Sequence, residues 1–171
     1  MNDDARVESI ITLLKKSYPN AKIVLNYKNP WELLVSVILS AQCTDVVVNK
    51  VTKKLFAKYP SLDDYVNANI AAFEQDIKST GFYHNKAKNI LAAAKLIKDT
   101  FYGIVPKTMG EMLTIPGVAR KTANVVLGNT YGVVDGIAVD THVLRLSQRL
   151  RLVGLGTIGG KNAVTFSRKG M

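Results

Sequence analysis

The chain has 171 residues, 47% of them hydrophobic and 8% aromatic, enough for a sizeable and mainly aliphatic core in one domain or two small lobes. Lys and Arg number 23 against 13 Asp and Glu, and the formal charge of +10 favours polyanionic partners, nucleic acid first and an anionic membrane surface second. Membrane spanning and secretion are disfavoured. The longest apolar stretch, WELLVSVILSA, is too short to cross a bilayer and carries Glu32, and the N-terminus, MNDDARVESI, is acidic where a signal peptide is basic. The one cysteine, Cys43, cannot build an internal disulfide, a four-cysteine zinc site or a four-cysteine iron–sulfur cluster, and a reducing cytoplasm is the expected location.

In chain order, nearly every segment reads as helix. Ile10, Leu13 and Leu14 follow a helical spacing behind Asp3 and Asp4, which suit a first turn. NPWELLVSVILSA offers Asn29 as N-cap and Pro30 at the first helical position, and its apolar residues run nearly all round, as in a buried central helix. TDVVVNKVTKKLFAKYP is amphipathic, with Asp45 as its expected cap, and stops before Pro60. Ser61 starts a short helix with Asp63 and Asp64 in its first turn. NIAAFEQDIKSTG closes on Gly81, and NKAKNILAAAKLIKDTFYG is a long Ala-Leu-Ile helix ending at Gly103. Thr108 and Glu111 read as a capping box. The β-branched runs Val46, Val47, Val48 and Val125, Val126 argue weakly for strands, but they sit inside helical periods. The expectation is an all-α fold of about nine short helices. The last stretch, GLGTIGGKNAVTFSRKGM, is glycine-rich, lacks a sustained period and is expected to be poorly ordered.

The segment IPGVARKTA, from Ile115 to Ala123, carries the chemistry. Pro116 presets φ, Gly117 allows a conformation that other residues resist, and a helix starts at once. A helix N-terminus presents N–H groups to an anion, and Arg120 and Lys121 add charge, so a DNA phosphate suits the position. An ordinary connection between two helices, with solvated cations, is the plain alternative.

TIPGVARKTANVV resembles the helix-hairpin-helix of the endonuclease III family of DNA-repair glycosylases. AVDTHV with its following helix, LLVSVILSAQCTDVVVNK and TGFYHNKAKNI resemble three further segments of that family, in order and at near-family spacing, from about residue 5 to about residue 153. The resemblance implies a helix-hairpin-helix glycosylase fold of two helical lobes. Residues 23–133 would form the lobe with the hairpin, residues 1–22 and 134–153 a partial second lobe, and residues 154–171 an atypical tail. Typical members continue for several tens of residues and hold a [4Fe–4S] cluster on four cysteines. With Cys43 alone that cluster is not expected here, and the second lobe is expected to be incomplete, as in a truncated or frameshifted chain.

The resemblance also implies an activity: excision of oxidised pyrimidines from double-stranded DNA and nicking at abasic sites through a Schiff base. Lys121 matches the lysine whose amine attacks the deoxyribose C1′, which the related adenine-removing branch lacks. To attack, the amine must shed its proton, and burial at a helix N-terminus beside Arg120 would favour the neutral form. Asp140, nineteen positions on, matches the carboxylate that stabilises the cationic sugar, and it would also cap its own helix. His142 reads as a structural hydrogen-bonder. Gln42 matches the residue that fills the space of the extruded base, and Phe82 the apolar residue that stacks there; a helix-end amide and a core aromatic are the alternatives. Tyr83, His84 and Lys86 would line the DNA face. In the hairpin, Ile115, Gly117, Val118, Ala119, Arg120 and Thr122 would meet the DNA backbone, and the carbonyls of Leu113, Ile115 and Val118 would hold a monovalent cation. Val118-Ala119 stands where the family usually has Val-Gly. A monomer is expected. The alternative function is a non-catalytic helix-hairpin-helix remnant that grips DNA without cutting it.

Overall fold

The structure, a computed structural model, describes residues 3–152. The glycine-rich stretch from Gly154 lies outside the described residues. All regular structure within them is helical: α1 (Asp3–Ser17), α2 (Pro30–Ser40), α3 (Asp45–Lys58), α4 (Leu62–Val66), α5 (Ile70–Ile77), a 3-10 turn (Lys78–Thr80), α6 (Tyr83–Phe101), α7 (Met109–Met112), α8 (Arg120–Tyr131) and α9 (Thr141–Arg149). The chain divides into two compact units, one running from Val24 to Ala138 and the other joining the segment up to Ile23 with the segment from Val139 onward.

In the Val24–Ala138 unit, α6 is the packing platform. Lys86, Ala87, Ile90, Ala93, Ala94 and Ile97 form one buried stripe at helical spacing. Its alanines let neighbours approach closely, and α4, α5 and α2 lie against it. The second central helix is α2, which buries Leu33, Leu34, Val35, Ser36, Ile38 and Leu39 and also packs on α3 and α8. Four aromatics, Trp31, Tyr59, Tyr65 and Phe73, collect beside this core. Tyr65 meets Trp31 edge-on at 5.1 Å and Phe73 at 5.8 Å, and Tyr59 closes on Phe73 at 5.4 Å.

Local sequence sets the helix ends. Asn29 caps α2 by accepting the Glu32 N–H at 2.9 Å, with Pro30 in the first turn. The α3 cap is Thr44, whose hydroxyl oxygen takes the Val47 N–H; Asp45, the expected cap, is the first helical residue, where its charge still complements the dipole. Ser61 and Asp64 form a full reciprocal capping box on α4. At α7 the box is partial: Thr108 Oγ1 accepts the Glu111 N–H, while the Glu111 carboxylate accepts from the Thr108 hydroxyl. The α5 helix stops at Ile77 and tightens into the 3-10 turn before Gly81, at φ 68°. The α6 helix ends on Tyr102, left-handed at φ 53°, one residue before the expected Gly103.

In the other unit, Arg6 reaches from α1 to the carbonyls of Leu150 (2.6 Å) and Arg151 (2.7 Å), and so ties α1 to the C-terminal end of α9. Ile11, Leu13 and Leu14 on α1 are exposed, in contrast to the core residues of α2.

Phe73 is fully buried in the aromatic group. Phe73→Ala should therefore lower unfolding stability by about 3–5 kcal/mol in urea titration.

Candidate nucleic-acid interface

The segment Leu113–Ala119 joins α7 to α8 in a tight hairpin. The Val118 N–H donates to the Ile115 carbonyl at 3.1 Å, so this amide closes the turn. Ile115 and Val118 anchor the hairpin in the core at 2% and 8% exposure, while Leu113 and Ala119 remain exposed. Gly117 has φ 79°, and a Cβ there would lie 2.9 Å from the Asn89 Cβ on α6. Both the left-handed turn and the close seat on α6 thus demand glycine. Ala119 has φ −97°, where any residue fits, so the departure from the family's usual glycine costs the turn nothing. As the N-cap of α8, Ala119 has no capping side chain.

Arg120 and Lys121 open α8. Arg120 faces Asp135 at 3.6 Å, both about half exposed, a pair that contributes little stability in water. Lys121 is exposed, in contrast to the burial expected at this helix start.

Two residues expected at the DNA have a left-handed backbone. Gln42, just past α2, has φ 54°, and Phe82, which starts α6, has φ 48°. Neither is a residue type that favours this region, and Phe82 is 66% exposed, which excludes a core role. Gln42, Phe82, Gly117 and Thr122 line one cleft of about 220 Å³, with Val37, Asn85, Lys86 and Asn89 in its walls. The structure thus gathers five of the residues expected at the DNA: Gln42, Phe82, Lys86, Gly117 and Thr122. Sequence reasoning missed Asn85 and Asn89; their signal is an i, i+4 pair of amides at the start of an otherwise Ala- and Ile-rich helix. Lys86 is not an exposed DNA-facing cation: it is 5% exposed and bonded inward. His84 pairs with Glu74 at 2.9 Å, and Tyr83 stacks on the His84 ring at 4.1 Å.

In the other unit, Asp140 is the N-cap of α9. Its Oδ1 accepts the N–H groups of His142 (2.9 Å) and Val143 (2.8 Å), which fixes the carboxylate. His142 is exposed, with Nδ1 3.2 Å from the Arg145 guanidinium.

A family model for HhH-GPD superfamily base excision DNA repair proteins matches residues 35–156. An endonuclease III from a Synechocystis species is 54% identical over 147 residues, which are 86% of this chain and 67% of that protein. The chain belongs to the endonuclease III family. A solved non-covalent endonuclease III–DNA complex superposes with TM-score 0.85 at 45% identity, covering 90% of this chain and 72% of the other. A trapped endonuclease III–DNA covalent intermediate gives the same figures. The chain thus has the endonuclease III helix-hairpin-helix fold and spans about two thirds of the length of the Synechocystis relative.

Gly117→Ala should cost about 1–3 kcal/mol in thermal unfolding, from the positive φ and the Asn89 clash together. Asp140→Ala should lose about 1 kcal/mol of cap stability, whereas Asp140→Asn should keep it, as read by urea unfolding.

Proposed function

We propose that the chain is a base-excision-repair DNA glycosylase with AP lyase activity, acting on duplex DNA that carries a damaged base or an abasic site. The observation that carries this reading is the convergence of Gln42, Phe82, Gly117 and Thr122 on one cleft. A base inside a duplex is out of reach of an enzyme until it is extruded, and the vacated space must then be filled. Gln42 supplies donors and acceptors for the orphaned partner base, and Phe82 supplies a stacking face. The hairpin and the first turn of α8 hold a backbone phosphate through amides, with Arg120 adding charge. The carbonyls of Leu113, Ile115 and Val118 would hold a monovalent cation against that phosphate. The Ile115 carbonyl already accepts one N–H, which leaves it a second lone pair to offer.

Lys121 is the proposed nucleophile. Its neutral amine attacks C1′ as the base departs with its bonding electrons and takes up a proton. The nitrogen then gives up a proton as the C1′–O4′ bond breaks and O4′ takes one up, which opens the sugar to an iminium; this loses a C2′ proton, and the 3′ phosphate leaves by β-elimination, which nicks the strand. The Asp140 carboxylate stabilises the positive charge that develops on the sugar and carries protons. A 45%-identical endonuclease III has been trapped as a covalent intermediate with DNA, which supports this chemistry. Oxidised pyrimidines are the proposed lesions. Cys43 is this chain's one thiolate, where a [4Fe–4S] cluster needs four, so no cluster is assigned to these residues. It places the protein in the cytoplasm as a monomer. Among the described residues, no helix is long and apolar enough to cross a membrane.

Borohydride reduction on a duplex with one abasic site should crosslink the wild-type protein to DNA, and Lys121→Ala should abolish the crosslink. Binding without a crosslink in the wild type would replace the enzyme with a DNA-gripping module. Asp140→Asn should slow single-turnover base excision by about 100-fold or more with its cap intact.

A further inference from the structure

Lys86 is the buried cation of the cleft wall. It lies in the first turns of α6 at 5% exposure, and its Nζ donates to two carbonyls, those of Leu39 and Thr80, each at 2.8 Å. Leu39 lies in the last turn of α2, and Thr80 ends the 3-10 turn. Carbonyls at helix ends lack intrahelical partners and carry the negative pole of the dipole, so an ammonium between two such ends satisfies both. Each carbonyl stands two or three residues before a left-handed residue: Leu39 before Gln42, and Thr80 before Phe82. Both of those side chains line the cleft that Lys86 itself lines. Burial pulls the Lys86 ammonium below the usual lysine value, with the nearby Cys43 opposing, so the cation is retained at a desolvation cost. A methionine of similar length would fill the space without that cost, but it could hold neither carbonyl.

We propose that Lys86 is a positioning residue for damage recognition, pinning the end of α2 to the 3-10 turn and thereby fixing Gln42 and Phe82 at the spacing at which they enter the duplex. The inference rests on the proposed role of those two side chains at the extruded base. Lys86 does not touch the reacting atoms; it acts through the two turns, and its donors point into the protein.

Two readouts on the full chain separate this role from general stabilisation. The first is amide hydrogen exchange without DNA. Lys86→Met should speed exchange by about tenfold or more at residues 40–43 and at 80–82, with the α8 core amides unchanged. The second is the ratio of Kd for intact duplex to Kd for duplex with a tetrahydrofuran abasic analogue. Lys86→Met should cut that ratio about tenfold, yet change it less than about twofold in a Gln42→Ala/Phe82→Ala background, because the lysine acts through those residues. Lys86→Gln keeps an N–H donor pair on a shorter stem, and it gives the same directions at smaller size should Lys86→Met not fold. Unchanged exchange at either turn, or a loss that simply adds to that of the double variant, overturns the proposal. A wild type that shows no preference for the abasic duplex overturns the functional reading instead, and exchange alone then decides whether Lys86 pins the turns.

Discussion

The buried stripe of α6 is the constraint on which the Val24–Ala138 unit depends. Ala87, Ala93 and Ala94 alternate with Ile90 and Ile97, so the helix offers both close approach and apolar area, and α2, α4 and α5 take their positions from it. The same helix carries Lys86, Asn85 and Asn89 on its first turns, at the wall of the cleft. Asn89 seats Gly117 of the hairpin, and Lys86 holds the carbonyls that precede Gln42 and Phe82. A shift of α6 along its axis would therefore move the hairpin seat and both turns together. The site is an extension of the core's register rather than a set of loops placed upon it.

Left-handed residues other than glycine cost about 1–2 kcal/mol each and persist where the surroundings over-determine them. Gln42, Phe82, Tyr102 and Arg151 all have positive φ. Tyr102 has a plain structural reason, since it stops α6 together with Gly103, and its 91% exposure leaves it without a cleft to serve. Gln42 and Phe82 differ because both reach one cleft and both follow a carbonyl held by Lys86. Strain alone does not mark the site. Two strained residues that share one buried anchor do.

What was legible in the sequence was local. Of the three valines at 46 to 48 only Val48 is buried, in line with Val51, Thr52 and Leu55, so the helical period outweighed β-propensity as the pattern indicated. Asn29 before Pro30 gave the start of α2, and Pro116-Gly117 gave the hairpin. The cap of α3 lies one residue before the expected Asp45, because Thr44 and Asp45 are both capping types and only the backbone geometry separates them. Three facts about the site needed the tertiary structure: that Lys86 is buried, that Lys121 is exposed, and that Asn89 supports Gly117. Each depends on which face of a helix meets a partner far away in the sequence; the default reading of a helical lysine as a solvated cation holds for Lys121 and fails for Lys86.

The helix N-termini carry a further distinction. Asn29, Thr44, Ser61, Asn69, Thr108 and Asp140 each cap their helix with a side-chain oxygen. The helices α6 and α8 instead begin on Phe82 and Ala119, which make no side-chain cap. First-turn amides favour an acceptor, and a chain that caps six other helices does not lack the residue types to supply one. Both uncapped starts border the cleft, through Phe82 at one and Gly117 and Thr122 at the other. A side-chain cap there would compete with any external anion for the same donors. Under the function proposed above, these two open starts, in a chain of formal charge +10, would offer helix-dipole attraction to a phosphate backbone.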